Sequence, residues 1–180
     1  MTFIAILRGI NVGGKRKIRM EELRQMLNDK GLRDVRTYIQ SGNVVFESED
    51  VADKFELSRL IQDALATQYG YDVPVQVLSA SELKRALSDN PFYQRDPENI
   101  DQYHLTFLDR VPDREQIEAV QVMNEGDDQF EIDGRFVFIR CFGKYHKSKL
   151  SNQFFEKKLG VNATTRNWKT VRKLGEMAGV

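Results

Sequence analysis

The chain has 180 residues, of which 41% are hydrophobic and 30% are charged, and its formal net charge is zero. This composition is typical of a globular protein that buries a core in one large domain or two small ones. The single cysteine, Cys141, excludes a disulfide framework and a metal site built from several cysteines. Since the sequence offers neither a signal peptide nor a membrane-length apolar run, we expect a soluble, cytoplasmic protein with no membrane partner.

The zero net charge hides a strong asymmetry along the chain. Residues 1–46 carry 9 Lys and Arg against 4 Asp and Glu, and residues 141–180 carry 9 against 2. The segment between them carries 9 against 21. If the fold brings both basic ends to one face, they create a focused positive field, and we predict that arrangement. The alternative is that these charges are solvated surfaces spread over the molecule.

The first element is an apolar run at residues 4–7, which predicts a buried strand and opens into a basic loop rich in glycine. The loop fits the pattern Gly-x4-Gly-Lys from Gly9 to Lys15, but Arg16 stands where a phosphate-binding P-loop needs Ser or Thr. The helical pattern also begins only at about Met20. The loop is therefore not a nucleotide-binding P-loop. It remains either an anion-binding loop with backbone N–H groups exposed by Gly13 and Gly14, or a simple turn.

The following elements complete a first β-α-β-β-α-β unit. Apolar residues at helical spacing predict a helix from Met20 to a stop at Gly31, and residues 35–40 and 44–46 form a hairpin across Ser41-Gly42-Asn43. Asp50 is the predicted cap of a second helix that ends at Gly70. A strand at residues 73–78 closes the unit. This order is the split βαβ arrangement of ferredoxin-like domains.

A second unit repeats the order. A strand at residues 103–108 precedes a helix at 112–123, and Asp133-Gly134 indicates a hairpin between strands at 130–132 and 135–142. A helix is predicted over residues 147–159. Only residues 163–166 remain for the fourth strand before a helix at 168–178, so we expect this unit to be truncated or modified.

These elements predict an α+β protein with two ferredoxin-like units, whose antiparallel sheets carry helices on one face. The predicted domains are residues 1–79, a helix and linker at 80–101, and residues 102–180 with an extra C-terminal helix. No repeated residues accompany this architectural repeat.

Three sequence blocks carry a family resemblance: LRGINVGGK at residues 7–15, TYIQSGNV at 37–44 and TRNWKTVRKL at 165–174. Together they resemble a bacterial family, domain of unknown function 1697. The resemblance covers nearly the whole chain. It implies a soluble α+β protein of this length and no particular activity.

The same blocks supply the candidate ligand-binding residues, because amide and hydroxyl groups beside cations suit a phosphorylated ligand. The alternative for several of them is turn and helix-cap chemistry. Two lysines at the start of the helix predicted over residues 147–159 complete the set. The candidates are Arg8, Asn11, Gly13, Gly14, Lys15, Gln40, Ser41, Asn43, Lys147, Lys149, Arg166, Asn167 and Lys169.

Other conspicuous residues are better explained by packing than by chemistry. Trp168 is either a core anchor or a stacking platform for a base. His104 and His146 lack obvious catalytic partners, and Cys141 is expected to be a small buried hydrophobe.

We therefore expect a binding protein for a phosphate-bearing ligand, either a nucleotide or a nucleic acid, with no cofactor and no metal. The alternatives are an enzyme acting on a phosphorylated small molecule in the same cleft, and a structural or oligomerising protein without a ligand. No catalytic residue is assigned and the oligomeric state is not predicted.

Overall fold

The structure is a computed structural model, and it describes residues 1–49, 53–123 and 126–180. The chain divides into two compact units. The first unit consists of Met1–Lys84 together with Leu174–Val180, and the second consists of Arg85–Lys173.

The first unit contains an antiparallel four-stranded sheet. Its strand order is β2 (Arg33–Tyr38), β3 (Asn43–Glu47), β1 (Thr2–Leu7) and β4 (Val75–Ser79), so the central strand β1 pairs with both β3 and β4. The connectivity is the β-α-β-β-α-β order that the sequence predicts. The elements are β1 (Thr2–Leu7), α1 (Met20–Asp29), β2 (Arg33–Tyr38), β3 (Asn43–Glu47), α2 (Lys54–Tyr69), β4 (Val75–Ser79) and α3 (Ala80–Asp89), which continues beyond the unit.

Both helices α1 and α2 pack on one face of this sheet. Alternate residues of a strand point to the same face, so Phe3, Ala5 and Leu7 of β1 share one side. They belong to one buried cluster with Leu23 of α1 and Ile61 of α2. The apolar periodicity of the two helices is thus explained by burial against a common sheet surface.

Helix α2 begins one residue after its cap, Asp53. The Asp53 carboxylate accepts hydrogen bonds from the backbone N–H groups of Phe55 and Glu56, at 2.8 and 3.0 Å. This satisfies two of the amides that a helix N-terminus leaves without intrahelical partners. The predicted cap, Asp50, lies outside the described residues.

Strand β2, at the edge of the first sheet, is irregular. Its pairing with β3 shifts between Arg33, which lies opposite Glu47, and Arg36, which lies opposite Val45. Asp34 lies between them with a φ of 46°, the left-handed conformation that Asp tolerates better than most residues. The irregularity is a β-bulge in an edge strand.

The second unit contains another antiparallel four-stranded sheet, with the order β6 (Gln129–Asp133), β7 (Phe136–Arg140), β5 (Tyr103–Leu108) and β8 (Ala163–Asn167). Strand β8, whose weak signal led us to expect a modified unit, is present and pairs with β5 over five positions. Its polar sequence makes it hard to recognise. The elements are α4 (Pro91–Arg95), a 3₁₀ helix (Pro97–Gln102), β5 (Tyr103–Leu108), α5 (Arg114–Gln121), β6 (Gln129–Asp133), β7 (Phe136–Arg140), a 3₁₀ turn (Tyr145–Lys147), α6 (Asn152–Leu159), β8 (Ala163–Asn167) and α7 (Trp168–Ala178), whose residues from Leu174 onward belong to the first unit.

Helix α6 is shorter than predicted. It begins at Asn152 instead of residue 147, because the Ser151 hydroxyl caps it by accepting a hydrogen bond from the Phe154 N–H at 3.2 Å. Residues 145–147 form a separate 3₁₀ turn. As a consequence, Lys147 is the last residue of this turn, Lys149 lies in the loop that follows, and neither belongs to α6.

The segment predicted as a linker contains helical structure. Asn90 caps α4 through its side-chain oxygen, which accepts hydrogen bonds from the N–H groups of Phe92 and Tyr93 at 3.0 and 3.1 Å. Pro91 occupies the first helical position, where its missing N–H costs nothing.

The predicted α+β class with two antiparallel sheets is confirmed. Among the helices of the described residues, none combines the length and the apolar character needed to cross a membrane.

Candidate anion-binding site

The basic glycine loop after β1 folds into a small hairpin. The Asn11 N–H donates to the Arg16 carbonyl at 3.1 Å, and the Lys15 N–H donates to the Val12 carbonyl at 3.0 Å. The two residues at the tip, Gly13 and Gly14, have φ values of 58° and 76°. Positive φ at both central residues defines a type I′ turn, whose twist suits a tight hairpin. The two glycines are therefore required by the turn itself.

The Asn11 side chain fixes the base of this hairpin. Its Nδ2 donates to the carbonyls of Ile18, at 3.0 Å, and of Gln40, at 2.8 Å, while its Oδ1 accepts from the Ile18 N–H at 2.9 Å. Both amide hydrogens and the oxygen are thus used within the protein. Asn11 holds the loop against the neighbouring turn, which positions the other side chains there.

That neighbouring turn joins β2 to β3 and is equally constrained. Asn43 is fully buried, and its Nδ2 donates to the Tyr38 carbonyl at 3.1 Å and to the Ser41 hydroxyl at 3.0 Å. Gly42 has a φ of 83°, and a Cβ at this position would lie 2.6 Å from the Cβ of Leu7. Asn43, Ser41 and Gly42 therefore build the turn, which is the alternative that the sequence left open.

A cleft of about 360 Å³, the hairpin cleft, lies between the hairpin, the start of α1 and this turn. Two of its cations, Lys17 and Arg19, are exposed, whereas Ile18 is buried and Met20 is half-buried. Among the acidic groups that the structure describes, none pairs with Lys17, and only Glu22 approaches Arg19, at 3.9 Å. The lining residues are Asn11, Gly14, Lys17, Ile18, Arg19, Met20 and Gln40.

Helix α1 begins at the edge of the cleft. Its N-cap residue is Arg19, and within the described part of the chain no side chain caps this helix end. The N-terminal N–H groups of a helix carry a partial positive charge that favours anions. Glu21 and Glu22 in the first turn offset part of this field. The cleft thus combines exposed cations with the positive end of a helix dipole.

Of the predicted candidates in the first unit, the structure brings Asn11, Gly14 and Gln40 together at this cleft. Lys15 is exposed on the hairpin. Arg8 is half-buried, and its N–H donates to the Pro74 carbonyl at 2.9 Å. Lys17 and Arg19 were not among the candidates predicted from the sequence. Their position directly before a predicted helix start was the signal that could have identified them.

In the second unit, Lys147 and Lys149 are exposed and line another cleft, of about 370 Å³. This cleft also has the carboxylates of Asp127 and Asp128 in its wall. Asp128 accepts hydrogen bonds from the Ser148 hydroxyl at 2.6 Å and from the Phe142 N–H at 3.0 Å. Mixed charges make this cleft less suited to an anion than the hairpin cleft.

The three remaining candidates have interactions within the second unit. Asn167 accepts a hydrogen bond from the Thr170 N–H at 2.8 Å at the start of α7. The Lys169 ammonium lies 2.6 Å from the Asp101 carboxylate. Arg166 donates to the Thr165 carbonyl at 3.0 Å, and burial lowers the pKa of its guanidinium to about 10. Local structure accounts for these contacts.

Trp168 is a core residue. Its side chain is fully buried, with ring centroids 5.7 Å from Tyr93 and 6.5 Å from Phe138. A ring enclosed in this way offers no face for stacking on a nucleobase. Of the two roles that the sequence allowed, the structure assigns the core anchor.

A polar network centred on Thr165, which the sequence analysis did not anticipate, lies on the second sheet. The Thr165 hydroxyl donates to Asn152 Oδ1 at 2.6 Å and accepts from the Tyr145 hydroxyl at 2.9 Å. It also lies 2.7 Å from the hydroxyl of the fully buried Thr106. The strand pairing of Thr106 with Thr165 creates this contact. Pairing between strands that are distant in the chain cannot be predicted from the sequence of either strand alone.

His104 lies beside this network. Its ring stacks on Tyr145 with centroids 4.5 Å apart, and its Nδ1 is buried without a hydrogen-bond partner among the described residues. Burial lowers the pKa of His104, which favours the neutral imidazole. Cys141 is also buried, and burial raises its pKa to about 11. Within the described ranges, no group of three or more His, Cys, Asp or Glu residues is placed to hold a metal ion.

The fold and the cleft define an α+β protein with two antiparallel four-stranded sheets and a basic cleft beside the β1–α1 hairpin. Residues 1–138 match the family described as protein of unknown function (DUF1697), and the chain belongs to this family. It is similar to the conserved bacterial protein SP0830 from Streptococcus pneumoniae, with 30% identity, 98% of each chain covered and a TM-score of 0.78. Nothing among curated proteins matches the chain.

Proposed function

We propose that the protein binds a phosphate-bearing ligand, either a nucleotide or a nucleic acid, in the hairpin cleft. The observation that carries this proposal is the convergence of Lys17, Arg19 and the uncapped N-terminus of α1 on one cleft. Ammonium and guanidinium groups donate charge-assisted hydrogen bonds to phosphate oxygens. Helix N-terminal amides add further donors at the same place.

The architecture and composition support this assignment. The strand order and connectivity of each unit favour the ferredoxin-like description, in which the β1–α1 loop of the first unit is a surface feature. We place the activity in the cytoplasm, where phosphorylated metabolites and nucleic acids are available. The candidates of the second unit are not needed for this binding mode.

Calorimetric titration of the intact protein with inorganic phosphate and with AMP at low salt tests the proposal. We expect binding of at least one of them, and a loss of about tenfold or more in Lys17→Ala and in Arg19→Ala, because each substitution removes a hydrogen bond from a charged group. Lys30→Ala removes an exposed lysine at the far end of α1 and is the matched control. Equal affinities in all four proteins, or no binding of either compound, contradict the proposal.

The salt dependence separates the two kinds of ligand. Binding of a single-stranded oligonucleotide along a basic surface weakens steeply as salt rises, since counterions are released from the strand. A small anion held by two cations shows a shallower dependence. Either result is consistent with a phosphate-bearing ligand and identifies which kind the protein prefers.

A further inference from the structure

The turn beside the cleft contains a residue in a costly backbone conformation. Ile39 has a φ of 50°, and its side chain is half exposed to solvent. The left-handed region is unfavourable for a β-branched residue, and such conformations persist only where the surroundings impose them. Since Ile39 is not a core residue, packing of its side chain does not explain the conformation.

Hydrogen bonds on both sides of Ile39 impose this conformation. Asn43 Nδ2 donates to the Tyr38 carbonyl at 3.1 Å, and Asn11 Nδ2 donates to the Gln40 carbonyl at 2.8 Å. The Leu7 N–H donates to the Gly42 carbonyl at 2.8 Å. Three successive anchors therefore fix the path of the chain through the turn. Their combined effect is to hold the backbone of Gln40 in the wall of the hairpin cleft.

The Gln40 side chain adds a recognition group that a simple phosphate does not require. A primary amide presents a donor and an acceptor side by side, and Gln makes paired hydrogen bonds with the edge of a nucleobase. The cleft also has an apolar part at the half-buried Met20, the first residue of α1. Cations, an apolar surface and an exposed amide correspond to the phosphate, the face and the edge of one nucleotide.

We infer that the ligand of the hairpin cleft is a single nucleotide, whose phosphate binds Lys17 and Arg19 and whose base lies against Met20 with its edge at Gln40. This inference rests on the proposed function. The volume of about 360 Å³ is at the lower end of the range for small-molecule sites, which suits one nucleotide. Base recognition by Gln40 also gives the strained turn a role.

The experiment compares ligands that differ only in the base. The intact protein is titrated by calorimetry with the four nucleoside 5′-monophosphates, with ribose 5-phosphate and with inorganic phosphate. We expect one monophosphate to bind at least about tenfold more tightly than ribose 5-phosphate. In Gln40→Ala this preference is lost while the affinity for ribose 5-phosphate is unchanged. Gln68→Ala, which removes an exposed glutamine from α2, keeps the preference.

The outcomes distinguish this inference from the proposed function. Equal affinity for ribose 5-phosphate and every monophosphate, or a base preference that survives in Gln40→Ala, overturns the inference and leaves phosphate binding intact. A single-stranded decanucleotide that binds at least tenfold more tightly than any monophosphate overturns it in favour of nucleic acid. No binding of any compound overturns both. Gln40 is exposed, so thermal unfolding of Gln40→Ala is expected to match that of the unmodified protein.

Discussion

Asn11 pairs with Ile18 as a neighbouring strand would, because its side-chain amide both donates to the Ile18 carbonyl and accepts from the Ile18 N–H. The two distances are 3.0 and 2.9 Å. One side chain thereby closes the loop that carries Lys15, Arg16 and Lys17. These two hydrogen bonds fix the base of the basic loop in the way that further backbone pairing between its two ends would.

We predict that Asn11→Ala destabilises the protein by about 1–3 kcal/mol, because the polar backbone of the buried Ile18 loses its partner. Urea denaturation followed by circular dichroism measures the change. Asn28→Ala removes an exposed asparagine from α1 and is expected to stay within about 0.5 kcal/mol. If both variants unfold at the same urea concentration, the side chain of Asn11 does not hold the loop.

Alanine substitutions of Gly13 and Gly42 separate the free-energy cost of a left-handed backbone from the cost of a steric clash. Both have positive φ, but a Cβ on Gly13 meets no atom within 4 Å, whereas a Cβ on Gly42 lies 2.6 Å from Leu7 Cβ. Gly13→Ala is expected to cost about 1–2 kcal/mol for the left-handed backbone. Gly42→Ala adds about 1–3 kcal/mol of overpacking. Thermal and urea unfolding of the two variants measure the difference, and equal losses would refute the steric explanation.

Gly13→Asn tests the hairpin geometry at the same position. Asn is favoured at the first central position of a type I′ turn, so this variant should be more stable than Gly13→Ala. The same unfolding measurements apply. A Gly13→Asn variant that is less stable than Gly13→Ala would mean that the tip is not a type I′ turn.

His104 is predicted to make the stability depend on pH. Burial lowers the pKa of this imidazole in the folded protein, although the charge of Asp128 acts in the opposite direction. The unfolded chain therefore takes up a proton first, near pH 6.5, so the stability contribution is complete above that pH. It is lost as the pH falls through 6.5 towards the lower folded pKa, with a slope of at most about 1.4 kcal/mol per pH unit.

Denaturation curves of the unmodified protein and of His104→Phe between pH 7.5 and pH 5 measure this contribution. Phe keeps a ring for the stacking on Tyr145 and does not titrate. We expect a flatter pH dependence in His104→Phe. His146 is exposed, so His146→Phe serves as the control and should retain the original slope. Identical slopes in all three proteins would exclude His104 as the source.

The thiol of Cys141 should be unreactive in the folded protein. It is buried, and burial raises its pKa to about 11, so the nucleophilic thiolate is scarce at pH 8. We expect a disulfide reagent such as dithionitrobenzoate to react only at the rate of unfolding. The variant Lys144→Cys places a second thiol at an exposed position and should react at once. Immediate modification of Cys141 in native buffer would contradict this prediction.

The sequence was informative where a feature depends on neighbouring residues. The hairpin at Asp133-Gly134, the stop at Gly160 and the start of α1 at Met20 follow from local conformational preferences, and the structure contains all three. The polar strand β8 had a weak signal, because its pairing with β5 is what stabilises it. Tertiary pairing decides such strands, and their own propensity does not.

The same distinction applies to the candidate site. The glycine loop and the Ser41-Gly42-Asn43 turn were identified from composition, but the sequence could not show that Asn11 uses all of its hydrogen-bonding groups within the protein. That fact depends on two backbone segments 29 residues apart in sequence, which meet only in the fold. Lys17 and Arg19 stand directly before the predicted start of α1, but only the fold shows that they line a cleft.

The bulge in β2 limits how the first sheet can grow. A strand from another copy of the chain would need a regular row of N–H and C=O groups along this edge. The left-handed Asp34 interrupts that row, and Arg36, paired with Asp34 at 3.0 Å, adds charge of both signs along it. Addition of a strand at β2 would leave some of its backbone groups without partners. The irregular edge thus disfavours edge-to-edge association of folded molecules through β2 at high concentration.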